Sequence, residues 1–99
     1  MASKPLRFHP AAEKEYLTAL AWYFQRSPVA ARNFEDAFAL AIGTIFEAPQ
    51  RWPIYFDSFW KYTLRRFPFS IVYQHFSSQI IVLAVAHGHR RPGYWMDRV

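Results

Sequence analysis

The sequence predicts an α+β domain of two layers, in which an antiparallel pair of helices packs on one face of a small, mainly antiparallel sheet. Residues 80–86 are seven apolar residues in succession, which is typical of a strand buried on both faces. Two longer segments before them carry apolar residues at helical spacing. Shorter segments between alternate polar with apolar residues, as strands do. The predicted order is β-α-α-β-β-β in a single domain of residues 1–99.

The first half of the chain is predicted to form one short strand and two helices. Residues 5–9 form the strand, and the first helix begins at Pro10, because proline is favoured at the first helical position. The apolar stripe of this helix consists of Leu17, Leu20, Ala21 and Phe24. Ser27 and Pro28 end it and begin the second helix, which runs to about Glu47 and makes the two helices antiparallel neighbours. The second stripe consists of Ala31, Phe34, Phe38, Ala41, Ile42 and Ile45.

The second half is predicted to be a sheet that follows a proline-rich connection. Residues 49–58 form this connection and have no clear period. Residues 59–66 and 69–74 alternate and predict two strands, with a turn at Pro68 between them. A hairpin turn at Ser77 and Ser78 leads into the strand of residues 80–86, so the last three strands form an antiparallel meander.

Composition excludes several classes of protein. The chain is 53% hydrophobic and 20% aromatic, which is too apolar for a disordered chain and leaves more rings than one small core needs. It has no cysteine, which excludes disulfides, thiolate metal sites and cysteine nucleophiles. No apolar run is long enough to span a membrane, and the first ten residues lack the apolar core of a signal peptide. We therefore expect a cytoplasmic protein with no membrane partner.

Charge is distributed unevenly along the chain. The net charge is +5, and from Arg51 onward the acidic residues are Asp57 and Asp97 alone. A basic surface of this kind attracts nucleic acid and acidic protein segments. The C-terminal half is therefore the part that we expect to meet a charged partner.

The central strand is expected to deliver a cationic and aromatic tail to one edge of the protein. The tail carries His87, His89, Arg90, Arg91, Tyr94 and Trp95. His87 and His89 have a spacing that can hold a metal ion, but no third ligand is evident, so we predict hydrogen-bonded histidines and no metal site. Tyr94 and Trp95 either stack on a partner or fold back and cap the core.

The sequence resembles the RelE/ParE superfamily of bacterial type II toxins. The matching segments are FHPAAEKEYLTALAWY, SPVAARNFEDAFALAI, LRRFPFSIVY and IIVLAVAHGHRRPGYW, and they cover nearly the whole chain. The resemblance implies a small toxin that a cognate antitoxin binds and silences. RelE-like members cut messenger RNA on the ribosome, whereas ParE-like members, among them plasmid stabilisation toxins, block DNA gyrase by binding. The ending Arg-Arg-Pro-Gly-Tyr-Trp resembles the ParE-like branch.

The two branches imply different roles for the same edge. A nuclease would use Arg65, Arg66, Arg90 and Arg91 as cations and Tyr94, His87 or His89 as acid or base. Only Lys61 precedes Arg65 in the middle segment, where RelE itself has several lysines, so we expect gyrase inhibition without chemistry and without a cofactor. The predicted target-binding residues are Arg65, Arg66, His89, Arg90, Arg91, Tyr94 and Trp95. An inactive copy that only binds its antitoxin is a third hypothesis.

Two apolar side chains fall outside the helical stripes. Trp22 lies opposite the stripe of the first helix, beside Glu15 and Arg26, and Leu40 lies off the stripe of the second helix. We predict that both contact a partner, either the antitoxin or a second copy, although scattered exposed apolar residues are common. The predicted antitoxin-binding set is Trp22, Leu40, Arg65 and Arg90.

Overall fold

The computed structural model describes residues 4–99, and for Phe56 it describes the backbone alone. The first three residues of the stretch considered for a signal peptide therefore lie outside the described residues. The elements are β1 (Leu6–Phe8), α1 (Pro10–Arg26), α2 (Pro28–Glu47), β2 (Ile54–Phe56), β3 (Phe59–Thr63), β4 (Phe69–His75) and β5 (Ile80–His87), with short 3₁₀ turns at Pro49–Arg51 and Met96–Arg98. The predicted α+β class is confirmed. Neither helix in the described part of the chain is both long and apolar enough to cross a membrane.

The sheet is mixed and has the strand order β1-β5-β4-β3-β2. β1 runs parallel to β5, and the other neighbours are antiparallel. β5 lies between two strands, as the apolar run predicted. The connection at residues 49–58 is more regular than its sequence indicated, because Ile54 pairs with Trp60 and adds the short strand β2. Asp57 makes the tight turn between β2 and β3 with a positive φ of 52°.

Side chains cap both helices at their N-termini. The Oγ of Ser27 accepts a hydrogen bond from the backbone N–H of Ala30 at 3.3 Å, which confirms the predicted start of α2. The Nδ1 of His9 accepts one from the N–H of Ala11 at 3.0 Å and caps α1 in the same way. These caps fix the helix starts on either side of the short connection.

The predicted stripe of α2 faces the core, with Ile42 half-buried, but the predicted stripe of α1 is wrong except at Leu20. Leu17 and Phe24 are 55% and 62% exposed. The side of α1 that faces the core instead carries Ala12, Tyr16, Ala19, Leu20 and Tyr23. Helical spacing allows either side, and the ring packing decides between them: Tyr16 and Tyr23 stack on Phe34 of α2 with centroids 5.7 and 5.0 Å apart.

The face of the sheet opposite the helices is covered by the C-terminal tail. Trp95 is 1% exposed and packs against Phe59, with ring centroids 4.7 Å apart. The second core on this face comprises Phe59, Val72, Leu83, Ala84 and Trp95. Of the two alternatives for Tyr94 and Trp95, the tail therefore adopts the second and folds back over the core. Of the tail residues expected at this edge, His89, Arg90 and Arg91 are exposed and Trp95 is buried.

A β-bulge interrupts the alternation of β5. Tyr73 pairs with Val82 and Val72 pairs with Ala84, so Leu83 is the extra residue in β5. The bulge places Leu83 and Ala84 together in the second core and returns the next residue to the helix side.

Candidate functional site

A groove of about 570 Å³ lies between α1 and β5. It forms there because β1 pairs with β5 only as far as Val82, and α1 passes beside the rest of that strand. Its apolar walls include Trp22, Tyr23 and Phe69, and its charged lining consists of Lys14, Glu15, His87, Arg90 and Arg98. Basic groups outnumber acidic ones in this lining, so the groove suits a segment that is both apolar and acidic.

Glu15 lies at the centre of the charged groups. Its carboxylate accepts hydrogen bonds from Val85 N–H at 2.9 Å, from the hydroxyl of Tyr94 at 2.7 Å and from both terminal nitrogens of Arg98 at 2.9 Å each. Burial acts to raise the pKa of Glu15, but the hydrogen bonds from Arg98, Tyr94 and Val85 together outweigh it and hold the pKa below its ordinary value. Glu15 is therefore a charged carboxylate with its partners already in place.

Side chains also satisfy the edge of β5 beyond β1. The carbonyl of Leu83 accepts a hydrogen bond from Arg98 at 2.9 Å, and the N–H of Val85 donates to Glu15. Buried backbone groups need such partners, and these two lie beyond Val82, where β1 has ended. Glu15 and Arg98 thus take the place that a continuation of β1 would occupy.

Tyr94 is held in the same cluster. The guanidinium carbon of Arg90 lies 3.8 Å from its ring centroid and that of Arg98 lies 5.1 Å away. Burial raises the pKa of Tyr94, and its hydrogen bond to Glu15 raises it further. The hydroxyl therefore stays protonated and directed at Glu15, and in this arrangement it is not placed to exchange a proton with a substrate.

The predicted cationic edge is assembled from two loops. The N–H of Gly88 donates to the carbonyl of Pro68 at 2.8 Å and joins the end of β5 to the β3–β4 loop, which carries Arg65 and Arg66. Arg65, Arg66, His89, Arg90 and Arg91 are all exposed. Within residues 4–99, the side chains of Arg65, Arg66 and Arg91 form no ion pair.

The two histidines of this edge interact with each other. His87 Nδ1 accepts a hydrogen bond from the backbone N–H of His89 at 3.0 Å, and the ring centroids lie 4.9 Å apart. In the described part of the chain, no group of three or more histidine, cysteine, aspartate or glutamate side chains could hold a metal ion. The arrangement is that of hydrogen-bonded histidines at a strand end.

A second, smaller pocket of about 90 Å³ lies on the opposite face of the sheet. Its lining includes Lys61, His87, Arg90, Arg91 and Tyr94, but neither Arg65 nor Arg66. The structure thus brings together part of the residue set that a nuclease would need.

The two apolar side chains outside the stripes lie at different places. Trp22 is 49% exposed, lines the groove and has the guanidinium carbon of Arg26 3.6 Å from its ring centroid. Leu40 is 72% exposed on α2, away from the groove lining. They therefore do not form one patch.

Sequence reasoning missed Glu15 and Arg98 as members of the site. The sequence placed Glu15 beside Trp22 on the first helix, but it was given no part in the predicted site. The available signal was its spacing of seven residues from Trp22, which places both on one side of the helix. Nothing in the sequence indicated its partner, because Arg98 lies 83 residues further along the chain.

Comparisons with known proteins agree with the fold and the earlier resemblance. The family model described as the ParE toxin of the type II toxin–antitoxin system parDE matches residues 6–92. A solved structure of the chromosomal ParDE system from P. aeruginosa superposes with a TM-score of 0.74 over 86% of this chain and 96% of that chain. The two sequences are 16% identical, so this match shows a shared fold. A search of curated proteins gave no match.

Proposed function

The chain belongs to the ParE toxin family of type II toxin–antitoxin systems, and from this premise we propose that it inhibits DNA gyrase by binding in the cytoplasm and is neutralised by a cognate antitoxin. The observation that carries the proposal is the exposed cationic edge, on which Arg65, Arg66 and Arg91 have no ion-pair partner among the described residues. Arginines that are not already paired can form bidentate contacts with carboxylates or phosphates of a large partner.

The chemistry of the site favours binding over catalysis. A general acid must have a proton to give at the reacting atom, whereas the hydroxyl of Tyr94 is bonded to Glu15. The small pocket beside it, at about 90 Å³, is also below the roughly 300–1,000 Å³ of ordinary ligand sites. A protein target that covers the whole edge needs neither a free acid nor a deep pocket.

Gyrase inhibition can be tested with purified gyrase in a DNA supercoiling assay. The toxin should inhibit supercoiling, and a double Arg65→Ala, Arg91→Ala variant should be weaker by roughly tenfold or more, because interface arginines often contribute most of the binding energy. The double variant Arg7→Ala, Arg32→Ala, at exposed positions of β1 and α2, removes the same charge and should inhibit like the wild type. No inhibition by the wild type at a large molar excess would contradict the proposal.

The groove beside α1 is the proposed antitoxin site. It combines Trp22 with the basic side chains of Lys14, His87 and Arg90, and tryptophan and arginine are the residue types that dominate protein interfaces. An antitoxin segment with an apolar residue and a carboxylate would satisfy both kinds of contact. Part of the affinity should therefore fall as salt is raised.

Titration of the antitoxin onto toxin variants tests this site. Trp22→Ala should weaken binding by roughly tenfold or more if the tryptophan is an anchor. Phe76→Ala is a matched control, since Phe76 is also an exposed aromatic residue but lies at the β4–β5 turn, away from the groove lining. Equal affinities for the two variants would place the antitoxin elsewhere.

The alternative function is cleavage of messenger RNA on the ribosome. It is favoured by the small pocket, which gathers Lys61, His87, Arg90, Arg91 and Tyr94. Primer extension on messages from cells that express the toxin would then show discrete cuts, and Tyr94→Phe would abolish them. We expect intact messages.

A further inference from the structure

Three residues of the C-terminal tail converge on one carboxylate of the first helix. Arg98 and Tyr94 bond to Glu15 directly, and Arg90 approaches it with an N–O distance of 3.9 Å. The two guanidinium groups also lie beside the Tyr94 ring. Like charges that share one ring repel each other, and Glu15 is the anion that stabilises them together.

The same carboxylate ties this tail to the sheet. Glu15 accepts from the N–H of Val85, and Arg98 donates to the carbonyl of Leu83, on the side of β5 that β1 no longer covers. One side chain of α1 thereby joins the helix, the central strand and the tail. Its side chain is 15% exposed, so solvent does not replace these bonds at low cost.

We propose that Glu15 is a positioning residue that fixes the tail and so sets the place of Arg90 and Arg91 on the target-facing edge. The inference rests on the proposed gyrase inhibition and deepens it. Two of the residues concerned, Tyr94 and Arg98, lie beyond residues 6–92, the part matched by the family model. We call the contacts of Glu15 with Arg90, Tyr94 and Arg98 the clamp. The clamp thus depends on C-terminal residues outside the matched segment as well as on residues within it.

The proposal predicts a local effect of Glu15→Gln, which keeps the shape of the side chain and removes its charge. Hydrogen exchange of the tail amides, residues 94–99, should rise by about tenfold or more, while the amides of α2 stay protected. Inhibition of gyrase should weaken by a similar factor. Glu13→Gln is the matched control, since Glu13 is exposed on the same helix and, among residues 4–99, the ion pairs of the tail go to Glu15 and not to Glu13.

A second variant guards against a folding defect in α1. Arg98→Gln breaks the clamp from the tail side, leaves Glu15 and the Val85 hydrogen bond in place, and should reproduce both effects. Unchanged exchange in the tail of both variants would overturn the proposal, as would faster tail exchange with full inhibition of gyrase. The exchange measurement needs no gyrase, so a wild-type toxin that fails to inhibit gyrase would count against the proposed function and would leave the clamp to be judged by exchange.

Discussion

The burial of Trp95 gives a quantitative prediction for Trp95→Ala. The side chain is 1% exposed and packs edge-to-face on Phe59, so truncation removes a large apolar contact and opens a cavity in the second core. Substitutions of buried tryptophan by alanine cost about 3–5 kcal/mol. The second core also contains the partly buried Tyr55 and Tyr94, which can shift into part of the cavity. We therefore expect the lower end, about 3 kcal/mol.

Urea denaturation followed by circular dichroism measures this loss. In thermal unfolding, a loss of 1 kcal/mol lowers the Tm of a domain of this size by about 4–8 °C, so the Tm of Trp95→Ala should be lower than that of the wild type by roughly 12 °C or more. Trp22→Ala is the control of the same chemistry at a half-exposed site. It loses the stacking with Arg26, worth about 0.5–1 kcal/mol where solvent has access, and an edge-on contact with Tyr23 at 5.0 Å, worth about 0.5–1.5 kcal/mol.

A free energy of unfolding for Trp95→Ala within about 0.5 kcal/mol of the wild-type value, the range of neutral surface substitutions, would contradict this prediction. That result would mean that the tail does not close the second core in solution. A loss as large in Trp22→Ala as in Trp95→Ala would also contradict it, because burial would then not explain the difference.

Three further predictions concern acid stability, a buried hydrogen bond and the tail turn. The pKa of Glu15 is lower in the folded state than its unfolded value of 4.5, so the stability that Glu15 contributes is complete above pH 4.5 and is lost as pH falls through the folded pKa. Between about pH 6 and pH 3, the free energy of unfolding should therefore fall less in Glu15→Gln than in the wild type. An equal fall in the two proteins would contradict this prediction. The hydroxyl of Tyr73 donates to the buried carbonyl of Pro49 at 2.6 Å, so Tyr73→Phe should cost about 1–3 kcal/mol in urea denaturation, and a neutral result would contradict it. Gly93 has a φ of +79° and an added Cβ would lie 2.9 Å from the sulfur of Met96, so Gly93→Ala should lower Tm and speed hydrogen exchange in the tail, whereas unchanged exchange would show that the turn is not strained.

The two helices show how far periodicity predicts burial. In α2 a single stripe is apolar, and Phe34, Phe38 and Ile45 are buried as expected. α1 has two sides that could face the core, one with aliphatic residues and one with alanines and tyrosines. Hydrophobicity alone favoured burial of the side with Leu17. The other side is buried because its small alanines allow close packing and its tyrosines stack on Phe34, and this becomes apparent only when α1 is packed against α2.

The cationic edge was predictable from the order of the strands. In an antiparallel meander, the end of one strand lies beside the turn between the two strands before it, so Arg65 and Arg90 had to come to the same end of the sheet. The hydrogen bond from Gly88 to Pro68 is the contact that joins these loops. Whether antitoxin or gyrase binds there stays a prediction.

By itself, the sequence determined the α+β class, the helix starts at Pro10 and Pro28 with the Ser27 cap, the central strand and the family of the toxin, because these depend on local patterns of polarity and on proline and serine at helix starts. Only the tertiary structure decided which side of α1 is buried, that the tail folds back over the sheet, and that Glu15 meets Arg98. These outcomes depend on a one-residue bulge at Leu83 and on ring packing between distant segments. Neither the bulge nor the ring packing produces a periodic pattern in the sequence, so no local pattern could have predicted these outcomes.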